Sequence, residues 1–115
     1  MPKFLAQASY TPEGLKGLAR DTASGRRAML ARAFEKIGGK LEAFYYAFGA
    51  DDVLAIAECP DNISAAAVSL TIAASGLVRI RLTALLSVEE VDQALKRGFE
   101  YKAPGMVAGA RPATA

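Results

Sequence analysis

Four ionisable residues set in alternating stretches, Glu42, Glu58, Arg79 and Arg81, are the ones through which this chain could do chemistry. A carboxylate can take or give a proton, and a guanidinium can hold an anion or steady a developing negative charge. Gln7, Ser9, Phe44 and Tyr46 fall in the same alternation and add hydrogen-bonding and aromatic groups to the candidate site. The missing residue types narrow the chemistry further. There is no histidine and a single cysteine, Cys59, which excludes His-based triads, Cys–His nucleophiles and histidine metal sites, and leaves no internal disulfide. No nucleophile–base pair, phosphate loop or metal-ligand spacing occurs, so neither a metal nor a cofactor is expected. Cys59 has no His or Cys beside it and reads as an inert thiol.

These residues need elements to position them, and 115 residues are enough for one domain with a real core. Hydrophobic content is 52% and rich in alanine, which suits close packing of helix on sheet. The net charge is +2 and the cations alternate with acids, so no basic stripe marks a nucleic-acid partner. The long uncharged run from Ile63 to Val78 is broken by Ser64, Ser69, Thr71, Ser75 and Gly76. It falls short of the about 20 apolar residues of a membrane span. The start, Met1-Pro2-Lys3-Phe4, lacks the pattern of a signal peptide. The expectation is a cytoplasmic protein with no membrane and no nucleic-acid partner.

Lys3 to Tyr10 alternates as a strand, and Thr11-Pro12-Glu13 follows as a helix start with Thr as N-cap and Pro at the first turn. A second helical segment, capped by Ser24, carries Leu30, Ala33, Phe34 and Ile37 on one face and stops at Gly38-Gly39. The basic residues of this region are interspersed with Glu13, Asp21 and Glu35 and read as a solvated face. Lys40 to Phe48 and Asp52 to Glu58 are strands joined by a short Gly49-Ala50-Asp51 hairpin loop. Pro60-Asp61-Asn62 stops the second of these and caps a helix to about Ser75. Leu77 to Leu86 is a fourth strand, and Ser87-Val88-Glu89-Glu90 is a capping box for a short helix to about Arg97. The domain spans 1–102, and the Pro/Gly/Ala-rich segment 103–115 is a tail, flexible or docked on a partner.

The order β-α-β-β-α-β with right-handed crossovers puts both long helical segments on one sheet face. The predicted fold is α+β, ferredoxin-like, with a four-stranded antiparallel sheet and a terminal helix. Strand alternation then sorts the side chains into two sets. Phe4, Ala6, Ala8, Leu41, Ala43, Tyr45, Val53, Ala55, Ala57, Val78, Ile80 and Leu82 form a helix-covered face. Leu5, Gln7, Ser9, Glu42, Phe44, Tyr46, Phe48, Leu54, Ile56, Glu58, Arg79, Arg81 and Thr83 form the open one. Pairing Phe48 with Asp52 matches Tyr46 with Leu54, Phe44 with Ile56 and Glu42 with Glu58. The face then divides into an apolar end of Phe44, Phe48, Leu54, Ile56 and Leu5, and a polar end of Glu42, Glu58, Ser9 and, if the fourth strand flanks the first antiparallel, Arg79 and Arg81. That register also predicts a raised pKa on one of the two opposed glutamates. An apolar area of this size calls for burial, and two-fold pairing with a second copy supplies it.

The punctuation has a family likeness. Tyr10-Thr11-Pro12-Glu13-Gly14, Gly38-Gly39-Lys40-Leu41, Tyr45-Tyr46 with Gly49 and Asp52-Val53, Glu58 with Pro60-Asp61, and Ala73-Ala74-Ser75-Gly76 leading to Arg79 follow one another as in the GYD domain family. The chain resembles that family from about Lys3 to Glu90, with Gly49, Asp52, Pro60 and Asp61 at motif positions. It departs from it at Asp51, where the family pattern has a tyrosine. The resemblance implies a dimeric α/β barrel without implying one activity. Dimeric α/β barrels include cofactor-free oxygenases, haem-degrading enzymes, decarboxylases and ligand-sensing domains. The residues leave three readings open: a homodimer, or higher oligomer, holding a small anionic or aromatic metabolite between its sheets; a cofactor-free enzyme with Glu58 or Glu42 as general base and Arg79 or Arg81 steadying charge; and a purely structural dimer.

Overall fold

The computed structural model describes residues 1–106, and the end of the tail, 107–115, lies outside the described residues. The chain divides into two compact units, Met1–Leu85 and Leu86–Ala115. The first holds β1 (Lys3–Tyr10), α1 (Pro12–Asp21), α2 (Ala23–Lys36), β2 (Lys40–Tyr46), β3 (Val53–Glu58), α3 (Asn62–Ala74) and β4 (Val78–Leu85). The second holds α4 (Val88–Arg97). Among the described residues the architecture is α+β: one four-stranded sheet in the order β2-β3-β1-β4, antiparallel throughout, with four helices.

The helices start where the chemistry of their first turns dictates. Thr11 Oγ1 accepts from Gly14 N–H and Asp61 Oδ1 from Ser64 N–H, so α1 and α3 each begin at a side-chain cap. Ser87 and Glu90 form the expected capping box of α4. The cap of α2 differs from expectation. It is Thr22, whose Oγ1 accepts from Gly25 N–H at 3.1 Å, and Ser24 lies inside the helix. Only Thr22 separates α1 from α2, so it also closes α1, donating its N–H to Leu18 O. Doing both forces φ to 70° on a β-branched residue, a conformation that costs on the order of 1–3 kcal/mol.

The core lies on one face of the sheet. Phe4, Ala57 and Cys59 from the strands and their ends pack with Phe34 of α2 and Ala65 of α3, and Ile37, Leu41, Val68 and Leu82 complete the cluster. Ala6, Ala8, Val53 and Ala55 are buried on the same face. Small residues on the two central strands let the helices come close, as the alanine-rich composition suggested. β1 and β3 pair as alternation requires, with Phe4 opposite Ala57, Ala6 opposite Ala55 and Ala8 opposite Val53.

β2 departs from the predicted register. A bulge between Leu41 and Ala43 inserts Glu42, and beyond it the pairs are Ala43–Ile56, Phe44–Ala55, Tyr45–Leu54 and Tyr46–Val53. Each is one residue away from the expected pairing, and a slip of one exchanges the two faces. Phe44 and Tyr46 therefore lie on the helix side and Ala43 and Tyr45 on the open side. The loop is longer than the predicted three residues: β2 ends at Tyr46 and β3 begins at Val53, with Ala47 N–H donating to Asp52 O at its base.

Two glycines are required by close approach. A Cβ on Gly14 would be driven into the Leu77 carbonyl oxygen, and one on Gly39 into that of Glu58. Gly17, inside α1, has open space around it. Urea denaturation should show Gly14→Ala and Gly39→Ala destabilised by about 1–3 kcal/mol, whereas Gly17→Ala gains about 0.5–1 kcal/mol of helix propensity.

Candidate functional site

The open face is laid out in rows across the strands. At one end Lys40, Glu58 and Lys3 stand side by side, followed by Ala43, Ile56, Leu5 and Thr83, then Tyr45, Leu54, Gln7 and Arg81, and last Ser9 beside Arg79. Of the predicted site residues, Gln7, Ser9, Glu58, Arg79 and Arg81 occupy this face as expected. The aromatic members do not. Phe44 and Tyr46, turned by the bulge, pack edge to face with ring centroids 5.3 Å apart. They line a crevice of about 260 Å³ with Ala23, Ser24 and Arg27 of α2, and Tyr46 Oη donates to Ala23 O at 3.5 Å. Phe48 is fully exposed in the loop.

The glutamates and arginines, expected in one polar end, are at opposite ends. The Lys3–Glu58 row and the Ser9–Arg79 row are six residues apart on β1, roughly 20 Å by strand rise, with the apolar band of Leu5, Leu54 and Ile56 between them. Arg81 is four residues from the Glu58 row, roughly 13 Å.

At the glutamate end Lys3 Nζ reaches over β3 to the Glu42 carboxylate at 3.1 Å. The Lys3 hydrogen bond holds the Glu42 carboxyl below its ordinary range. A raised value was expected on one of the two glutamates, and Glu42 is lowered instead: the bulge takes it out of register with Glu58, whose opposite neighbours are Lys3 and Lys40. A carboxylate stabilised in its charged form suits an ion pair and makes a weak general base.

At the arginine end a different acid occupies the face. Asp51 folds back over β1 and β4, and its Oδ2 accepts from Arg81 Nη2 at 2.9 Å and Gln7 Nε2 at 3.3 Å. Ser9 Oγ stands 3.4 Å from Asp51 Oδ1 and 3.2 Å from the Ala50 carbonyl oxygen. Only 17% of the Asp51 side chain is exposed, against 67% of Arg81. Sequence reasoning missed Asp51, because it was placed in a hairpin turn; the charge of its side chain opposite two outward arginines was the available signal. Arg79 enters no ion pair among the described residues.

The motif positions do structural work. Asp52 donates its N–H to Ala8 O and accepts from Tyr10 N–H at 2.8 Å, extending the β1–β3 pairing beyond the last strand residue. Asp61 caps α3, and the Ser64 N–H holds its carboxyl below the usual range. Pro60 packs beside Gly38, and Gly49 sits in open space. Cys59 is 1% exposed, and burial, then the Asp61 charge, push its thiol up. This is an inert thiol by its surroundings. Among the described residues no group of three or more His, Cys, Asp or Glu could hold a metal ion, and no helix is long and apolar enough to cross a membrane.

Fold and face together define an α+β domain with a helix-covered core and an uncovered sheet face that carries both charge and apolar surface. The chain belongs to the GYD domain family, whose model matches residues 4–95. No curated protein and no solved structure matches it.

Two measurements test this geometry. Asp52→Ala leaves the Tyr10 N–H without its acceptor and should cost about 1–3 kcal/mol in urea denaturation, with faster amide exchange at Tyr10. Partial burial, and then a hydrogen bond with Tyr10, push the Tyr46 phenol up to about 12 from 10.0. The folded chain then holds this proton more tightly than the unfolded one, so stability is intact below pH 10 and falls as pH rises through that window. Tyr46→Phe should flatten the decline in urea midpoint over this alkaline range.

Proposed function

We propose that the protein is a cytoplasmic homodimer that pairs two ferredoxin-like sheets by their open faces, as a dimeric α/β barrel, and holds a small anionic or polar-aromatic metabolite at the Arg79–Arg81 end. The observation that carries this reading is the band of Leu5, Leu54 and Ile56 on an uncovered face, flanked by Tyr45 at 69% exposure. An apolar band between two charged ends is a natural interface core with a polar rim. Support for the fold comes from the β2-β3-β1-β4 order with helices crossing over after β1 and β3. A buried single cysteine suits a reducing compartment.

The ligand end is argued from charge. Arg79 and Arg81 alternate on β4 toward the same face, beside Ser9 and Gln7, and Asp51 offsets one of the two cations. The surplus favours an anion, and the neighbouring amide and hydroxyl give it directional partners. The enzyme reading is weaker in this geometry. Within one chain the Glu58 row stands roughly 13 Å from Arg81 and roughly 20 Å from Arg79 along the strands, and Lys3 holds Glu42 as an ion-pair partner. A working Glu–Arg site would need the two ends to come from different copies.

Light scattering at micromolar concentration should give a dimer mass for the native chain and a monomer for Leu54→Glu. A native monomer refutes the assembly. In a thermal-shift screen of small carboxylates and aromatic acids, at least one compound should raise the melting temperature of the dimer. Arg79→Ala should weaken that compound about 10–100-fold, the equivalent of one charge-assisted contact. A hit indifferent to Arg79 and Arg81 would move the ligand elsewhere.

A further inference from the structure

We infer that Gln7, Ser9 and Arg81 form a carboxylate-binding subsite which the chain fills with its own Asp51, so that the tip of the β2–β3 loop is a built-in competitor for an external carboxylate. This deepens the reading above and rests on it for where the ligand lies, though it does not need the dimer.

The three donors are a guanidinium, a primary amide and a hydroxyl, a set that matches the oxygens of a carboxylate. All three stand on paired strands, with Gln7 directly opposite Arg81, so the recognition geometry is set by the rigid sheet. The acceptor comes from a loop instead. That loop is fixed at its base by the Ala47 N–H···O Asp52 and Asp52 N–H···O Ala8 bonds. Its tip is unpacked: Phe48 is fully exposed and Gly49 has nothing near it. Residues 48–51 can therefore lift without breaking a strand bond.

The contacts are those of a replaceable occupant. Only the Arg81 bond is short, at 2.9 Å, while the amide and hydroxyl contacts are 3.3 and 3.4 Å, near the outer limit for hydrogen bonds. The hydroxyl has one proton and two acceptors in reach, Ala50 O and Asp51 Oδ1. Arg81 keeps most of its surface exposed despite the pairing, which leaves room beside it for a second group on a larger ligand. A carboxylate entering here must displace Asp51, and its apparent affinity is reduced by the fraction of time the site is vacant.

Asp51→Ala tests this directly, with acetate as the probe and chloride at equal ionic strength as the control. Isothermal titration should find acetate binding at least about tenfold tighter in Asp51→Ala than in the native chain, as removal of a mostly bound competitor requires. Binding should vanish in Asp51→Ala/Arg81→Ala. If Asp51→Ala is unstable on its own, acetate and not chloride should restore its melting temperature, again only with Arg81 present. Acetate acting no better than chloride, or acting equally without Arg81, overturns the proposal and leaves Asp51 a brace for the loop. The result separates from the preceding reading: a native chain that stays monomeric or finds no metabolite sinks that one, while acetate binding to Asp51→Ala would still establish the subsite.

Discussion

Because β1 is hydrogen-bonded on both sides, to β3 and to β4, its register is tied to two neighbours at once. A slip of one residue would carry Phe4, Ala6 and Ala8 out of the core and bring Lys3, Leu5 and Gln7 beneath the helices. The penalty for burying an unpaired lysine and an amide there far exceeds any gain. Everything on the open face inherits this constraint. Leu5, Gln7 and Ser9 point outward because their neighbours must point in, and β3 and β4 place Leu54, Ile56, Arg79 and Arg81 outward by pairing with them.

The edge strand β2 is held less tightly, and there the sequence and the structure part. Alternation in β1, β3 and β4 was legible because one parity is small or aliphatic and the other contains Gln7, Glu58, Arg79 and Arg81. In β2 the run Phe44-Tyr45-Tyr46 offers an aromatic at each of three successive positions, so neither parity is favoured by polarity. Nothing in composition announces a bulge at Glu42. The bulge nevertheless has a physical logic. It keeps Leu41 in the core beside Ala57 while letting Phe44 and Tyr46 fill the space beneath α2, where alanines of the central strands leave room. Glu42 itself stays outward, where Lys3 meets it. Helix starts were more readable: Thr11 and Ser87 cap where expected and the α3 cap falls within Pro60-Asp61-Asn62, whereas the expected Ser24 gives way to Thr22 because a one-residue link must both close α1 and open α2.

Separation of charge along the face follows from these registers and decides what kind of site the sheet can offer. Glu42 and Glu58 are surrounded by Lys3 and Lys40, a balanced group in which each charge has an opposite neighbour. Of Arg79 and Arg81, only Arg81 meets an acid, Asp51, among the described residues. Placing all four groups in one end, as the sequence reading did, would put a general base beside an anion holder. The observed arrangement produces an ion-paired end and a surplus-positive end divided by apolar surface.

The two adjacent aspartates after Gly49 show how little sequence proximity says about role. Asp52 is bound into the backbone, accepting from Tyr10 and continuing the ladder to Ala8, so its carboxylate is consumed by the fold. Asp51, one residue earlier, turns its carboxylate onto the sheet face and is the only acid there that meets an arginine among the described residues. A neutral side chain here could offer Arg81 at most an uncharged oxygen, while the carboxylate offers a full charge and a bond about twice as strong. Asp51 is thus the loop residue that offsets Arg81 at the positive end of the face, on a turn whose backbone Asp52 holds.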